Sequence, residues 1–265
     1  MLNEAIKASA LMKKAKQSVY PTFVYSVLDQ YIPGKIYLTK SETSAIMGTG
    51  SGIYAVIGDV RDQDGERLLA GLFQSRQAAK KRFTLFSPSQ EWDLKIDELL
   101  ENDLTQYKRH SFIFNPNNYR RLVKVDHSQS FSVHKYDSEL ISKSHEFNQA
   151  YIKEYWGSTT NFLKNGFGFC LLEDGQIACE CLTIFTSSKF AEIDIVTQEP
   201  YRGRGLALTA AQLFIDYCLK KNIAPIWNCD VNNLPSIKLA EKLGFEHPST
   251  YSIFVKRQED MGDMQ

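Results

Sequence analysis

The succession of apolar periods predicts an α+β protein, with a mixed sheet flanked by helices at the carboxyl end and a smaller α/β domain before it. Three observations predict it. The second half reads strand, helices, three strands, helix, strand, helix, strand. Two of those strands flank Asp174-Gly175, a dipeptide that favours a two-residue hairpin turn. The length, 265 residues, exceeds one small domain and suits two at roughly 100–200 residues each. With 43% hydrophobic and 23% charged residues the chain can bury a core, which excludes disorder as its main state.

Taken in order, Leu2, Ile6, Ala10 and Leu11 give an amphipathic helix over the first twenty residues, ending near Pro21. Ile36 to Thr39 and Ile53 to Ile57 read as strands around a polar stretch, Ser41 to Gly52. The cluster Gly48-Thr49-Gly50-Ser51-Gly52 lacks the Gly-Lys-Ser/Thr ending of a phosphate loop and reads as a turn. Gly65 to Lys81 is a helix carrying Leu68, Leu69, Leu72 and Phe73, and Phe83 to Phe86 is a strand. Ser87-Pro88 supplies an N-cap and a first-turn proline for a helix with Trp92, Ile96, Leu99 and Leu100. After a hairpin-like stretch near Ser111 to Phe114, the segment Val125 to Ser130 turns polar, so the domains are placed at residues 1–125 and 126–265. The first has enough apolar residues for a folded domain, with an acceptor-site or a structural role.

In the second domain Phe131 to Tyr136 is a strand, and helical patterns fill Ser138 to Tyr155. Phe167 to Leu172 and Gln176 to Phe185 form the hairpin, and Phe190 to Thr197 is a third strand. A helix from about Gly205 to Lys221, a strand Pro225 to Val231, a helix Pro235 to Leu243 and a strand Tyr251 to Val255 complete the chain. No internal repeat of fixed period is visible.

Lys+Arg and Asp+Glu tie at 31 each, so no electrostatic footprint for nucleic acid or an anionic membrane appears. No window approaches the ~18 apolar residues of a membrane span, and charges fall where a signal peptide needs its apolar region. The five cysteines sit in apolar runs without a C-x-x-C pair, which suits buried thiols in a reducing cytoplasm. The five histidines show no metal-ligand spacing, and serine-hydrolase and metalloprotease signatures are absent, so no metal is expected.

The segment with chemical content starts at the strand Glu192-Ile193-Asp194-Ile195-Val196-Thr197. It leads through Gln198 to Tyr201 into Arg202-Gly203-Arg204-Gly205-Leu206-Ala207, which opens the long helix. Glycines at a helix mouth let a ligand approach the backbone, and the unpaired N–H groups of the first turn form an anion site with the helix dipole. Arg202 and Arg204 add charge for a phosphate, or are simply solvated. A dinucleotide fold would place a third glycine at Leu208, and none is there.

A second segment, Asn233-Leu234-Pro235-Ser236, opens the next helix, which ends at Leu243-Gly244-Phe245. Together the two segments resemble the GNAT superfamily of N-acetyltransferases. Arg202, Gly205 and Ala207 match its Arg/Gln-x-x-Gly-x-Gly/Ala motif after a strand. Asn233, Ser236, Leu239, Gly244 and Phe245 match its second motif, and the resemblance covers roughly Ser130 to Lys256. Ile32-Pro33-Gly34-Lys35-Ile36-Tyr37, with Gly166 to Phe169 and Glu192-Ile193-Asp194, also resembles a group of two-part bacterial acetyltransferases that includes the zwittermicin A resistance enzyme.

The resemblance implies acetyl-CoA as co-substrate, in a slot where the strand before the motif splays from the next one. Backbone groups of Val196 and Thr197 would meet the pantetheine arm. The amides of Arg202 through Ala207 would meet the pyrophosphate, and Asn233 with Ser236 would reach the cofactor. Asn233 is equally an N-cap for its own helix. Glu192 and Asp194, two apart on a strand, share one face. Such a pair either lines a cleft or pairs with Lys or Arg across the sheet. Glu192 is favoured as the base, with Asp194 as its substitute or as an anchor for a cationic substrate. Many relatives carry a tyrosine as general acid where this chain has Ala240, which leaves Tyr251 as a distant substitute or solvent as donor. The expected activity is acetyl transfer to a primary amine of a small molecule in the bacterial cytoplasm. The alternative is a silent acyl-CoA-binding regulatory module.

Overall fold

The computed structural model describes residues 2–14, 20–100, 103–122 and 131–256. The polar segment Val125–Ser130, the expected domain boundary, lies outside the described residues. The chain divides into two compact units, Met1–Arg109 with Thr250–Gln265, and His110–Ser249. Both cuts fall inside long strands.

The first unit holds helices α1 (Leu2–Lys14) and α2 (Thr22–Leu28), then β1 (Gly34–Leu38), β2 (Ser44–Thr49), β3 (Ile53–Gly58), α3 (Gln63–Ala78), β4 (Thr84–Ser87) and α4 (Gln90–Leu99). It also takes the start of β5 (Leu104–Phe114) and the end of β11 (Phe245–Lys256). Antiparallel pairs join β1 to β2 and β2 to β3, β3 pairs in parallel with β4, and β11 pairs antiparallel with β4. Leu69 and Phe73, four apart on α3, pack with Phe83, Leu85, Trp92, Ile96 and Phe254.

Three expectations change here. The stretch read as polar contains β2, buried along its whole length. Its glycine is there for packing, since a Cβ on Gly48 would meet the Tyr54 ring at 2.4 Å. Helix α4 is capped by Ser89, whose hydroxyl accepts from Trp92 N at 3.3 Å, while Ser87 ends the strand before it. The short helix α2 follows Pro21, which stands at its N-cap, and was not legible as a separate element.

The second unit contains the end of β5, α5 (Pro116–Arg120), β6 (Ser132–Lys135), α6 (Ser138–Lys143), α7 (Gln149–Trp156) and α8 (Thr159–Asn165). Then come β7 (Gly168–Glu173), β8 (Gln176–Thr186), β9 (Phe190–Thr197), α9 (Leu206–Lys220), β10 (Ala224–Asp230), α10 (Leu234–Lys242) and the start of β11. Its strands are ordered β5-β10-β9-β8-β7-β6. The hairpin at Asp174-Gly175 forms with φ of 49° and 77°, the left-handed pair that the dipeptide favours. Ala210, Ala211, Phe214, Ile215 and Cys218 of α9 pack on Cys179, Cys181, Ala191 and Ile193 of the sheet. All five cysteines are buried and unbonded to one another.

The two units repeat one order of elements. Antiparallel β1-β2-β3, crossover α3, parallel β4, then α4 and β5 correspond to β7-β8-β9, α9, β10, α10 and β11. The two copies carry different residues at corresponding places, so no fixed-period repeat was visible in the sequence.

Candidate active site

In the second unit, β9 and β10 pair in parallel at Phe190–Ala224, Ala191–Pro225 and Glu192–Ile226. Pairing ends there, although β9 runs on to Thr197 and β10 to Asp230. The two strands part and leave main-chain groups of β9 facing a gap. On its other side β9 stays paired with β8 through Thr197.

Beyond Thr197 a 3-10 turn, Glu199–Tyr201, leads to the mouth of α9. Gly203 and Gly205 have φ of 77° and 80°, a left-handed backbone that side chains disfavour. Gly205 caps the helix without a side chain, and its carbonyl accepts the first helical bond from Thr209 N at 3.3 Å. Among the described residues no backbone acceptor meets the N–H groups of Gly203 through Leu208. With the dipole of a 15-residue helix behind them, these open donors have the chemistry to take an anion.

The two arginines are turned onto protein acceptors. Arg202 Nε donates to Thr197 O at 3.2 Å, which spends one of the carbonyls expected to face a ligand. Arg204 makes a bidentate pair with Glu173, at 3.0 and 2.7 Å, and its guanidinium lies 4.9 Å from the centre of the Phe131 ring. The side chain of Leu206 is buried in the core, so only its backbone faces the helix mouth. Asn233 caps α10, its Oδ1 accepting from Ser236 N at 3.1 Å. Ser236 Oγ accepts from Trp227 Nε1 at 3.0 Å.

Glu192 and Asp194 share a face of β9 opposite the buried Ala191 and Ile193. Each takes a hydrogen bond from a neutral group: Asn228 Nδ2 donates to Glu192 Oε1, and Tyr151 Oη donates to Asp194 Oδ2, both at 2.7 Å. Burial and the Asp194 carboxylate together push the Tyr151 hydroxyl well above 10.0. Tyr151 stands in an aromatic row, 4.9 Å from Phe147 and 4.7 Å from Tyr155, and Tyr155 is 5.7 Å from Phe185. Phe185 is the cross-strand neighbour of Glu192, so the row borders the acidic face. Further along that face, Glu180 opposes Val196; it is fully buried and accepts from the Tyr136 hydroxyl. Burial raises its carboxyl.

A model of the family described as GNAT acetyltransferase matches residues 12–254. The chain is also 40% identical over 250 residues to a Bacillus subtilis (strain 168) protein named "Uncharacterized N-acetyltransferase YdfB", covering 94% of this chain and 95% of that one. The chain belongs to the GNAT acetyltransferase family. Among solved structures it resembles a GCN5-related N-acetyltransferase-like protein from Streptococcus suis 89/1591, with a TM-score of 0.72 and 25% identity over 97% of this chain and all of that one. A tandem GNAT protein from the clavulanic acid biosynthesis pathway shares the fold, with a TM-score of 0.64 and 14% identity over 97% and 94% of the two chains. The GNAT match spans both units, so the family's fold is built here from two of them.

Measured against the GNAT pattern, the structure brings Gly203, Gly205 and the acids of β9 into one unit with Asn233 and Ser236. Ala240 is fully buried in the core, and no hydroxyl stands there. Tyr251 falls in the first unit, where its hydroxyl accepts from Arg109 Nε at 3.2 Å and its ring stacks on Phe86. Sequence reading missed Asn228, Tyr151 and the aromatic row. The recurrence of Phe147, Tyr151 and Tyr155 every fourth residue was the available signal. Among the described residues no group of His, Cys, Asp or Glu is placed to hold a metal ion, and no helix is long and apolar enough to cross a membrane.

Proposed function

We propose that the second unit transfers an acetyl group from acetyl-CoA to a primary amine of a small molecule. The observation that carries this reading is the parting of β9 from β10 directly before an open helix mouth. The residues fit the co-substrate: unsatisfied N–H groups at Gly203 to Leu208 suit a pyrophosphate, and the parted strand edge suits an amide-bearing arm. When bound, acetyl-CoA supplies the activated acetyl thioester.

The chain's own residues handle position and protons. Gly203 to Ala207 hold the anionic end through main-chain donors, while Val196 offers main-chain groups along the slot. The Arg202 and Arg204 side chains brace the loop, and Asn233 and Ser236 form the start of the neighbouring helix. Glu192 accepts a proton from the ammonium group of the acceptor so that a neutral amine can attack. Asp194 lies on the same face of β9, two residues further on. Asp194, held by Tyr151, anchors positive charge on the acceptor, and the aromatic row covers its apolar part. The N–C bond forms as the C–S bond breaks and the nitrogen gives up its second proton to solvent; with Ala240 in the place of the usual tyrosine, solvent also protonates the departing thiolate. Membership of the two-part bacterial group that includes the zwittermicin A resistance enzyme draws its support from the two-unit fold. A cytoplasmic site of action suits a reaction that consumes acetyl-CoA.

Ala240 favours a second reading, an acyl-CoA-binding regulatory module without turnover. Thiol release from acetyl-CoA, measured against polyamines, aminoglycosides and amino acids, separates the two. Amine-dependent release supports the transferase; tight binding with no release on any amine supports the module.

A further inference from the structure

The corresponding groove of the first unit is built on the same strand pattern. Strands β3 and β4 pair in parallel at Ile53–Thr84, Tyr54–Leu85 and Ala55–Phe86, and pairing ends there although β3 continues to Gly58. This is the three-pair contact followed by a parting that β9 and β10 make. Beyond the parting, the two grooves differ at the helix mouth and at the gap between the strands.

At the helix mouth, four residues, Asp59 to Asp62, link β3 to α3, where eight, Gln198 to Gly205, link β9 to α9. The short link contains no glycine. Instead Asp62 caps α3, its Oδ1 accepting from Asp64 N at 3.0 Å. Its Oδ2 accepts from the hydroxyls of Ser41, Thr43 and Ser44, each at 2.7 Å. A carboxylate of the chain thus sits where the second unit leaves its N–H groups open, with Asp64 and Glu66 beside it in the first turn. A phosphate brought to this mouth would meet three carboxylates.

The gap between the strands differs as well. Helices α4 and α10 are capped alike: Ser89 accepts from the N–H three residues on, as Asn233 does. That third residue is Ser236 in the second unit and Trp92 in the first. Trp92 is buried among Tyr54, Val56 and Leu85, and its Nε1 donates to Gly58 O at 3.4 Å, at the end of β3 beyond the last pair with β4.

We infer that the first unit is a second copy of the acetyltransferase fold whose cofactor groove is filled by the chain itself. Trp92 takes the place of the arm and Asp62 that of the anion, so one chain binds one acetyl-CoA. What an open groove would hold rests on the reading of the second unit; that this one is closed rests on Trp92 and Asp62 alone.

Two measurements on the full-length chain test this. Calorimetric titration with acetyl-CoA is expected to give one site per chain, and in Gly205→Val only that one site, weakened at least about tenfold. Asp62→Ala and Trp92→Phe are expected to lower the melting temperature by several degrees while leaving the stoichiometry, and the affinity within twofold, unchanged. Two sites per chain, or residual binding in Gly205→Val at a second site, overturns the inference. So does a change in affinity of fivefold or more in Asp62→Ala at an unchanged melting temperature. If no acetyl-CoA binds at all, the proposed function fails. Zero sites and two sites are separate readings, so the failure of that function and the failure of this inference stay distinguishable.

Discussion

Asn228 Nδ2 donates to Glu192 Oε1 at 2.7 Å, two residues past the point where the backbones of their strands cease to pair. The side-chain bond therefore spans the beginning of the gap and fixes the carboxylate at its apex.

The first prediction concerns that proton. Glu192→Gln retains volume and can still face Asn228 but cannot act as a base. Turnover at pH 7 is expected to drop by about 10²-fold, the low end for general-base catalysis. The loss should shrink as pH rises and free amine accumulates. A steady-state pH–rate profile indistinguishable from wild type would remove Glu192 from the chemistry.

Asp194 and its donor should act on binding of the acceptor instead. Asp194→Asn is expected to raise the Michaelis constant for a cationic amine about tenfold, or ~1.4 kcal/mol, with turnover held within twofold. Tyr151→Phe should move the same constant in the same direction by less. Equal losses in turnover would assign Asp194 to the reaction instead.

The arginines and glycines of the helix mouth should separate. Because Glu173 already takes up the charge of Arg204 in an exposed pair, Arg204→Ala should weaken acetyl-CoA binding by less than about threefold. Gly205→Val should weaken it at least about tenfold, since φ of 80° is denied to a β-branched residue and the backbone must move. Calorimetry with a melting curve for each variant checks both.

Asp62 makes an acid-stability prediction. Burial pushes its carboxyl up, but the hydroxyls of Ser44, Thr43 and Ser41 outweigh this and hold it far below the usual carboxylate range. A carboxylate with a depressed folded pKa stabilises the fold above its unfolded value of about 3.9 and loses that contribution as pH falls through the folded one. The melting-temperature difference between wild type and Asp62→Asn should therefore be largest near neutrality and shrink below about pH 4. A constant difference across that range would contradict it.

Much of the second unit was legible because each of its elements carries its own period, and because Gly203, Gly205 and Asn233 are contiguous motifs at element ends. Strand β2 was not: Ser44, Gly48 and Thr49 look like turn residues, and only burial against neighbours such as Tyr54 makes them a strand. Asn228 and Tyr151 reach Glu192 and Asp194 from 36 and 43 residues away, so no local pattern announces those two contacts, and the spacing of Phe147, Tyr151 and Tyr155 marks only the aromatic row. The repeat of element order was hidden for a related reason. Topology needs only apolar periods in sequence, whereas the grooves were given opposite residues, Gly205 and Ser236 in one and Asp62 and Trp92 in the other.

Open main-chain donors at the mouth of α9 are expected to receive the anionic end of acetyl-CoA. Amide hydrogen exchange on the full-length chain, with and without acetyl-CoA, tests it most directly. Exchange should slow at Gly203 to Leu208 and stay unchanged at Asp62 to Glu66. Saturable binding of acetyl-CoA that leaves the amides of Gly203 to Leu208 exchanging at their free rate would contradict it.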